Sequence, residues 1–252
     1  MIIMNENKKI ACLDTDVIIK MTHNESELLN LVVDIFDKCY IHDYIYKEVD
    51  WPEETVNILN KLIEKDKVNI INDEMLYNNL EIKRIFLDTL QQVCDIFGID
   101  YDEIYSDIEQ FKSNDKKFIK ELKEADKHIK YNLGEIRTLL MIILLREIKQ
   151  DKINYFISDD RRARNAVILK YGKTLTEQKI YGISLISSIH LLKIEGYAKA
   201  RVLKVVENLQ TKKNKIYYEK DRMDKMSNKQ IINKLYANEL SILKNGDFII
   251  RK

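Results

Sequence analysis

The apolar run Ile10–Leu13 in "KKIACLDTDVIIK" ends in two aspartates, Asp14 and Asp16, before the chain turns apolar again at Val17. Further acids stand at comparable places. Glu48 follows a second apolar run, Glu135 heads "LGEIRTLLMIILLREIK", and Asp159 and Asp160 follow "INYFIS". Carboxylates gathered within a few ångströms raise one another's pKa, and a divalent cation relieves that repulsion. A ligand set of oxygens without Cys or His suits Mg2+ or Mn2+. Such an ion supplies a nucleophilic water and stabilises charge on a phosphate during transfer. Gathered at one edge, these acids therefore point to metal-assisted hydrolysis of a phosphodiester.

Each acid also has a plainer reading. Aspartates at helix starts cap the helix and suit its dipole, which covers Asp16, Asp159 and Asp160. Glu48 alone reads as a surface glutamate. Asp14 and Glu135 fit this reading less well: one ends a buried strand and the other heads an otherwise apolar helix. Other chemistries are poorly supported. His23, His42, His128 and His190 are scattered and no serine sits in a GxSxG context. His42, near the second strand, reads as a satisfied structural histidine. No P-loop or dinucleotide fingerprint occurs. The three cysteines, Cys12, Cys39 and Cys94, lack CxxC spacing, so they frame neither disulfides nor a zinc site and suit a reducing cytoplasm.

The elements that must position the acids follow from periodicity. "KIACL", "YIHDY", "KVNIIN", "INYFIS" and "KIYGIS" read as short strands, and the segments between them carry helical spacing. "YKEVDWPEETVNILNKLIEK" is helical with a break near Trp51-Pro52. Residues 73–130 read as an inserted helical block. Its stripe of Leu80, Ile82, Ile85, Phe86, Leu90, Val93 and Phe97 is stopped by Gly98 as a C-cap. The helix from Gly134 is apolar nearly all round and is expected to be buried. "DDRRARNAVILKYG" reads as a helix with Ala163, Val167 and Ile168 on its apolar side. Strands alternating with helices imply a parallel sheet, and ligands of such sheets bind beyond the strands' carboxyl ends. Residues 198–244 read as helical, and "GDFIIRK" as a closing strand.

The 252 residues are 45% hydrophobic and 33% charged, with one Pro and six Gly. A chain of that length builds one generous domain, or a domain with an appendage, and the scarcity of breakers favours long helices. The apolar run "LLMIILL" falls well short of a membrane span, and "MIIMNENKK" does not read as a signal peptide. The net charge of +1 conceals an asymmetry: residues 196–252 carry 14 Lys/Arg against 6 Asp/Glu, and residues 1–195 carry 28 against 35. The basic end suits nucleic acid, an acidic protein or simply a solvated surface. Arg161 and Arg164, after the last acids, and Lys212, Lys213 and Lys215 in "TKKNKIYY" are the candidate phosphate contacts.

"CLDTDVII", "YIYKEV", "LGEIRTLLMII" and "FISDDRRARNAV", in this order, resemble the motif series of PIN-domain ribonucleases. The resemblance covers about residues 8–195. It implies an α/β, PIN-like central parallel sheet flanked by helices, with a helical insertion at about 73–130 and a basic, mainly helical C-terminal extension over 196–252. It implies that Asp14, Glu48, Glu135 and Asp159 bind Mg2+ or Mn2+, with Asp160 as the alternative in its pair and Asp16 near the metal or its waters. The activity implied is endoribonucleolytic: a metal-activated water attacks phosphorus in line, leaving a 5′-phosphate and a 3′-hydroxyl. The family includes toxins of toxin–antitoxin pairs and defence nucleases. An RNA substrate, an antitoxin or other protein partner, a homodimer and a cytoplasmic location without membrane contact are compatible with it. The alternatives carried alongside are a non-catalytic RNA- or protein-binding module and a phosphatase or DNA nuclease using the same acids. The 87 residues from Glu48 to Glu135 and the tail after Gly196 depart from a compact PIN domain.

Overall fold

The computed structural model describes residues 8–77, 80–149, 153–165, 180–207, 209, 214–217, 223–242 and 248–250. In chain order the elements begin with β1 (Ile10–Leu13), α1 (Thr15–Thr22), α2 (Leu28–Val33), β2 (Lys38–His42), α3 (Asp43–Glu48), α4 (Glu53–Glu64) and β3 (Val68–Ile71). They continue with α5 (Asp73–Leu76), α6 (Leu80–Phe97), α7 (Tyr101–Tyr105), α8 (Asp115–Asp126), α9 (Leu133–Lys149), β4 (Tyr155–Ile157) and β5 (Tyr181–Ile183). The last are α10 (Leu185–Ile194), α11 (Lys199–Glu207), β6 (Asn214–Tyr217), β7 (Met223–Met226), α12 (Asn228–Tyr236), β8 (Leu240–Ile242) and β9 (Phe248–Ile250). Residues 161–165 are also helical. The rest of the helix expected there, with Val167, Ile168 and Gly172, lies outside the described residues.

The chain divides into two compact units. One comprises the chain up to Tyr40, Val49–Asn69 and the chain from Ile153 on; the other comprises Ile41–Glu48 and Ile70–Lys152. The second unit is therefore wider than the expected insertion, since it also takes in α3 and the whole of α9.

The α/β architecture expected from the strand and helix alternation is present. Five parallel strands form a sheet in the order β3-β2-β1-β4-β5. β1 is buried along its whole length, as a central strand covered on both faces must be. It pairs with β2 through Ala11↔Cys39 and with β4 through Leu13↔Ile157. Strands β2 and β3 extend the sheet to one side of β1, β4 and β5 to the other. The order thus reverses between β1 and β4, the position where open α/β sheets leave a crevice beyond their carboxyl ends. In the same unit α1 packs on α2, α4 and α10, with the Thr22 and Thr55 hydroxyls 2.6 Å apart in the buried α1–α4 contact. A capping box in which Ser184 and Ser187 exchange side-chain and backbone bonds starts α10.

Among its described residues the extension from Gly196 is mixed and not mainly helical. Alongside α11 and α12 it forms a four-stranded sheet in the order β7-β6-β9-β8. β6 pairs antiparallel with β7, from Asn214↔Met226 to Tyr217↔Met223, and parallel with β9. The segments 214–217 and 223–226 are too short for their alternation to stand out from a charged helix face. They become strands by pairing with each other and, for β6, with the more distant β9. β9 falls within "GDFIIRK", as expected.

The second unit is helical around α9, against which α3, α5 and α6 pack. From Ile136 to Leu145 its side chains are buried without interruption, as its sequence implies. Gly98 ends α6 with φ +66°, and the Ile99 amide donates to the Cys94 carbonyl at 2.9 Å. The α6 stripe is rotated from the predicted one. Leu80 is exposed and Lys83 is buried, because the Lys83 ammonium meets Asp115 and donates to the Lys112 carbonyl at 3.0 Å. Phe86 packs between Tyr77 and Phe118, with ring centroids 4.3 and 5.9 Å away. Phe86→Ala is expected to cost about 3–5 kcal/mol, measured by urea denaturation. A loss below about 0.5 kcal/mol, the range of an ordinary surface substitution, would show that this cluster does not hold the unit together.

Candidate functional site

In the first unit the switch point is lined by acids. Leu13 pairs with Ile157, so the residues just past each strand, Asp14 and Ser158, come face to face. The Asp14 amide donates to the Ile157 carbonyl at 3.0 Å. The buried Asp14 carboxylate receives the Ser158 hydroxyl at 2.6 Å on Oδ2 and the Thr15 amide at 2.9 Å on Oδ1. Ser158 Oγ in turn accepts from the Asp160 amide at 3.1 Å. Hydrogen bonds of this kind are what make a buried carboxylate tolerable.

Asp16 and Asp159 sit beside this pair. The Asp159 amide approaches Asp16 Oδ1 at 3.4 Å, and Lys20 Nζ bridges the two carboxylates at 3.1 and 2.9 Å. Burial raises the Asp16 carboxyl above its ordinary value; Lys20 opposes this and the Asp159 charge reinforces it. Burial works against the Lys20 charge, but Asp159 and Asp16 outweigh it, so the ammonium is held above its ordinary value. Asp159 Oδ1 also accepts from the Leu185 amide at 2.8 Å, in the first turn of α10. Asp160 Oδ1 accepts from the Arg162 and Ala163 amides at 2.6 and 3.3 Å, and so caps the helical stretch 161–165.

Arg161 is exposed. Arg164, expected on the exposed face beside it, is instead buried and donates from Nη1 to the Ser158 carbonyl at 2.6 Å. It braces the loop that carries the acids and does not present its guanidinium to solvent. Lys212 and Lys213 lie outside the described residues, and Lys215 is placed in β6 by its backbone alone.

Glu48 and Glu135 belong to the second unit. Glu48 ends α3 and is exposed; Glu135 is half-buried in the first turn of α9. A Cβ on Gly134 would stand 3.3 Å from Glu48 Oε2 and 3.2 Å from Ile45 Cδ1. Glycine at that position lets α3 bring the Glu48 carboxylate against the start of α9, where the helix dipole favours negative charge. Burial raises the Tyr44 phenol, and the charges of Glu48, Asp126 and Glu135 add to the effect.

Behind Tyr44 lies a buried polar network. His42 Nε2 is 3.2 Å from Asp73 Oδ1, and the Tyr44 amide donates to His42 Nδ1 at 3.2 Å. Both ring nitrogens are engaged, so His42 ties α3 to α5, the structural role expected of it. Arg137 is 2% exposed. It donates through Nε to Asp126 Oδ2 at 3.1 Å and through Nη2 to the same oxygen, while Asp126 Oδ1 receives the Tyr105 hydroxyl at 2.9 Å. Burial alone would push the Asp73 carboxyl up; the Arg137 charge and the His42 bond reverse this and hold it well below the usual carboxylate range.

The acids are thus gathered as Asp14, Asp16, Asp159 and Asp160 in one unit and as Glu48 with Glu135 in the other. Among the described residues no group of three or more His, Cys, Asp or Glu is arranged to hold a metal ion. Mg2+ is held by one or two carboxylates, with waters and substrate phosphates completing its octahedron. Asp14, Asp16 and Asp159 carry carboxylate oxygens at this edge, and the Lys20 ammonium lies between the last two. Sequence reasoning passed over Ser158 and Lys20, and read Arg164 as a phosphate contact or an exposed cation. The i,i+4 spacing of Asp16 and Lys20 was the available signal for Lys20. Cys12, Cys39 and Cys94 are buried and form no disulfide among the described residues; burial pushes the Cys39 thiol up to about 12. Among the described residues no helix is long and apolar enough to cross a membrane. No protein-family model, curated protein or solved structure matches the chain.

Two outcomes test this geometry. Ser158→Ala strips a buried bond from Asp14 and is expected to cost about 1–3 kcal/mol by urea denaturation; unchanged stability would remove Ser158 from the network. Asp73 contributes stability above its ordinary value of 3.8, and that contribution is lost as pH falls through its depressed folded value. Asp73→Asn should therefore flatten the loss of stability as pH falls below the ordinary value of 3.8, measured as unfolding free energy against pH. An unaltered acid limb would contradict the Asp73 assignment.

Proposed function

We propose that the chain is a Mg2+- or Mn2+-dependent endoribonuclease of the PIN-domain kind, whose metal is held by acids at the carboxyl edge of the parallel sheet. The observation that carries this is the placement of Asp14 and Asp159 just past β1 and β4, the adjacent strands between which the order reverses. Asp14 would be the principal ligand and Asp159 its companion, with Asp16 beside them. Asp160 is left to the helix cap it forms. The motif resemblance assigns Glu48 and Glu135 to the same ligand set, and RNA as the substrate. A bound Mg2+ or Mn2+ supplies Lewis acidity toward a phosphodiester and lowers the pKa of water.

The chain's own contribution is to fix the ligands. Ser158 and the Thr15 amide orient the Asp14 carboxylate, Arg164 braces the Ser158 backbone, and the Leu185 amide orients Asp159. Arg161 lies on the same loop, where a cation can meet an RNA phosphate. A role as a toxin or defence nuclease, with an antitoxin as partner, belongs to this same reading.

One observation favours a second reading. Lys20 already bridges Asp16 and Asp159 and offsets one of their two charges, which suits a structural ion pair in a non-catalytic RNA- or protein-binding module. A cleavage assay separates the two. Labelled RNA and DNA are incubated with the purified chain in Mn2+ or EDTA, beside Asp14→Asn. The proposal expects RNA cleavage in Mn2+ alone, reduced in the variant by more than about 100-fold, the upper range for a metal's outer-shell partners. Cleavage that survives EDTA or the substitution would refute the metal mechanism, and RNA binding without any cleavage would establish the second reading.

A further inference from the structure

The second unit contains an open cavity of about 340 Å³, lined among others by His42, Tyr44, Asp73, Lys123, Asp126 and Arg137. Its acids are already engaged. Asp126 is taken by Arg137 and Tyr105, Asp73 lies against His42, and Asp43 at the rim receives Lys47 Nζ at 2.7 Å. Two donors are left over. Arg137 Nη1 is buried without a hydrogen-bond partner, since its nearest carboxylate oxygen, Asp73 Oδ1, is 3.8 Å away, too far for a hydrogen bond. Lys123 is exposed and makes no ion pair among the described residues.

A buried guanidinium N–H without an acceptor is costly and calls for one. The acceptor that satisfies a guanidinium and an ammonium together is a tetrahedral oxyanion. The geometry points to a phosphate-binding site in this cavity, with Arg137 Nη1 and Lys123 as its donors. Tyr44, which lines the cavity and feels the charges of Glu48 and Glu135, places it beside the second pair of proposed catalytic acids. Resting on the nuclease reading for its source, the ligand is a phosphate of the RNA strand, such as a 5′-terminal phosphate; free inorganic phosphate shares its chemistry.

Calorimetry on the full chain in EDTA tests the site without any metal. The probes are inorganic phosphate and short RNAs with and without a 5′-phosphate, and the proteins are wild type, Lys123→Gln and Arg137→Gln, the last checked for folding by circular dichroism. Phosphate is expected to bind the wild type, and Lys123→Gln to weaken it about tenfold, as the loss of one charge-assisted contact implies. Preference for the 5′-phosphorylated RNA identifies the strand end as the source; binding of inorganic phosphate without that preference identifies free phosphate. Absence of phosphate binding, or binding that Lys123→Gln leaves unchanged, overturns the site whether or not Arg137→Gln folds. Because no cleavage is measured, that result leaves the nuclease reading standing, and loss of cleavage with phosphate binding intact leaves the site standing.

Discussion

A carboxylate at the end of a buried central strand must be compensated before the sheet can close around it. Asp14 meets that constraint, and much of the first unit is organised by how it does so. Its backbone continues the β1–β4 ladder through the Ile157 carbonyl, while its side chain turns to the Ser158 hydroxyl and the Thr15 amide. Ser158 is then fixed from two directions, by the Asp160 amide on Oγ and by Arg164 on its carbonyl. A carboxyl group at that depth is a poor choice for stability alone, since an apolar residue would avoid desolvation altogether. The parallel topology explains its position: Asp14 stands just past β1, where the strand order reverses.

The second unit solves a similar problem with opposite charge at its centre. Arg137, within the stretch of α9 that is buried from Ile136 to Leu145, is enclosed and must carry its counter-charges inside. Asp126 takes two of its donors from α8, and Asp73 draws near from α5 while holding His42. The network links three helices to the end of β2, and α3, which carries Glu48, begins directly after it. Gly134 does the remaining positioning by leaving room for the Glu48 carboxylate at the start of α9.

Much of this was legible in the sequence because it rests on local signals. The strands of the parallel sheet, the encircling hydrophobicity of α9, the Gly98 stop and the acids following β1 and β4 are each written within a few residues. What was not legible depends on partners that no local pattern announces. Lys83 reads as a solvated lysine until Asp115 and the Lys112 carbonyl are brought to it. Arg164 reads as a surface cation until the Ser158 carbonyl closes over it. The strands at 214–217 and 223–226 carry no distinctive alternation, and only their mutual register makes them strands. Asp160 illustrates the converse: its capping role was the plain local reading, and it is the one observed.

The central claim is that the carboxyl edge between β1 and β4 is a cation site. An anomalous difference map from crystals of the full chain soaked in Mn2+ tests it most directly. The account predicts a peak within coordination distance of the Asp14 and Asp159 carboxylates, with the Lys20 ammonium displaced from Asp159. A map without density at that edge, with Lys20 still spanning Asp16 and Asp159, would contradict it.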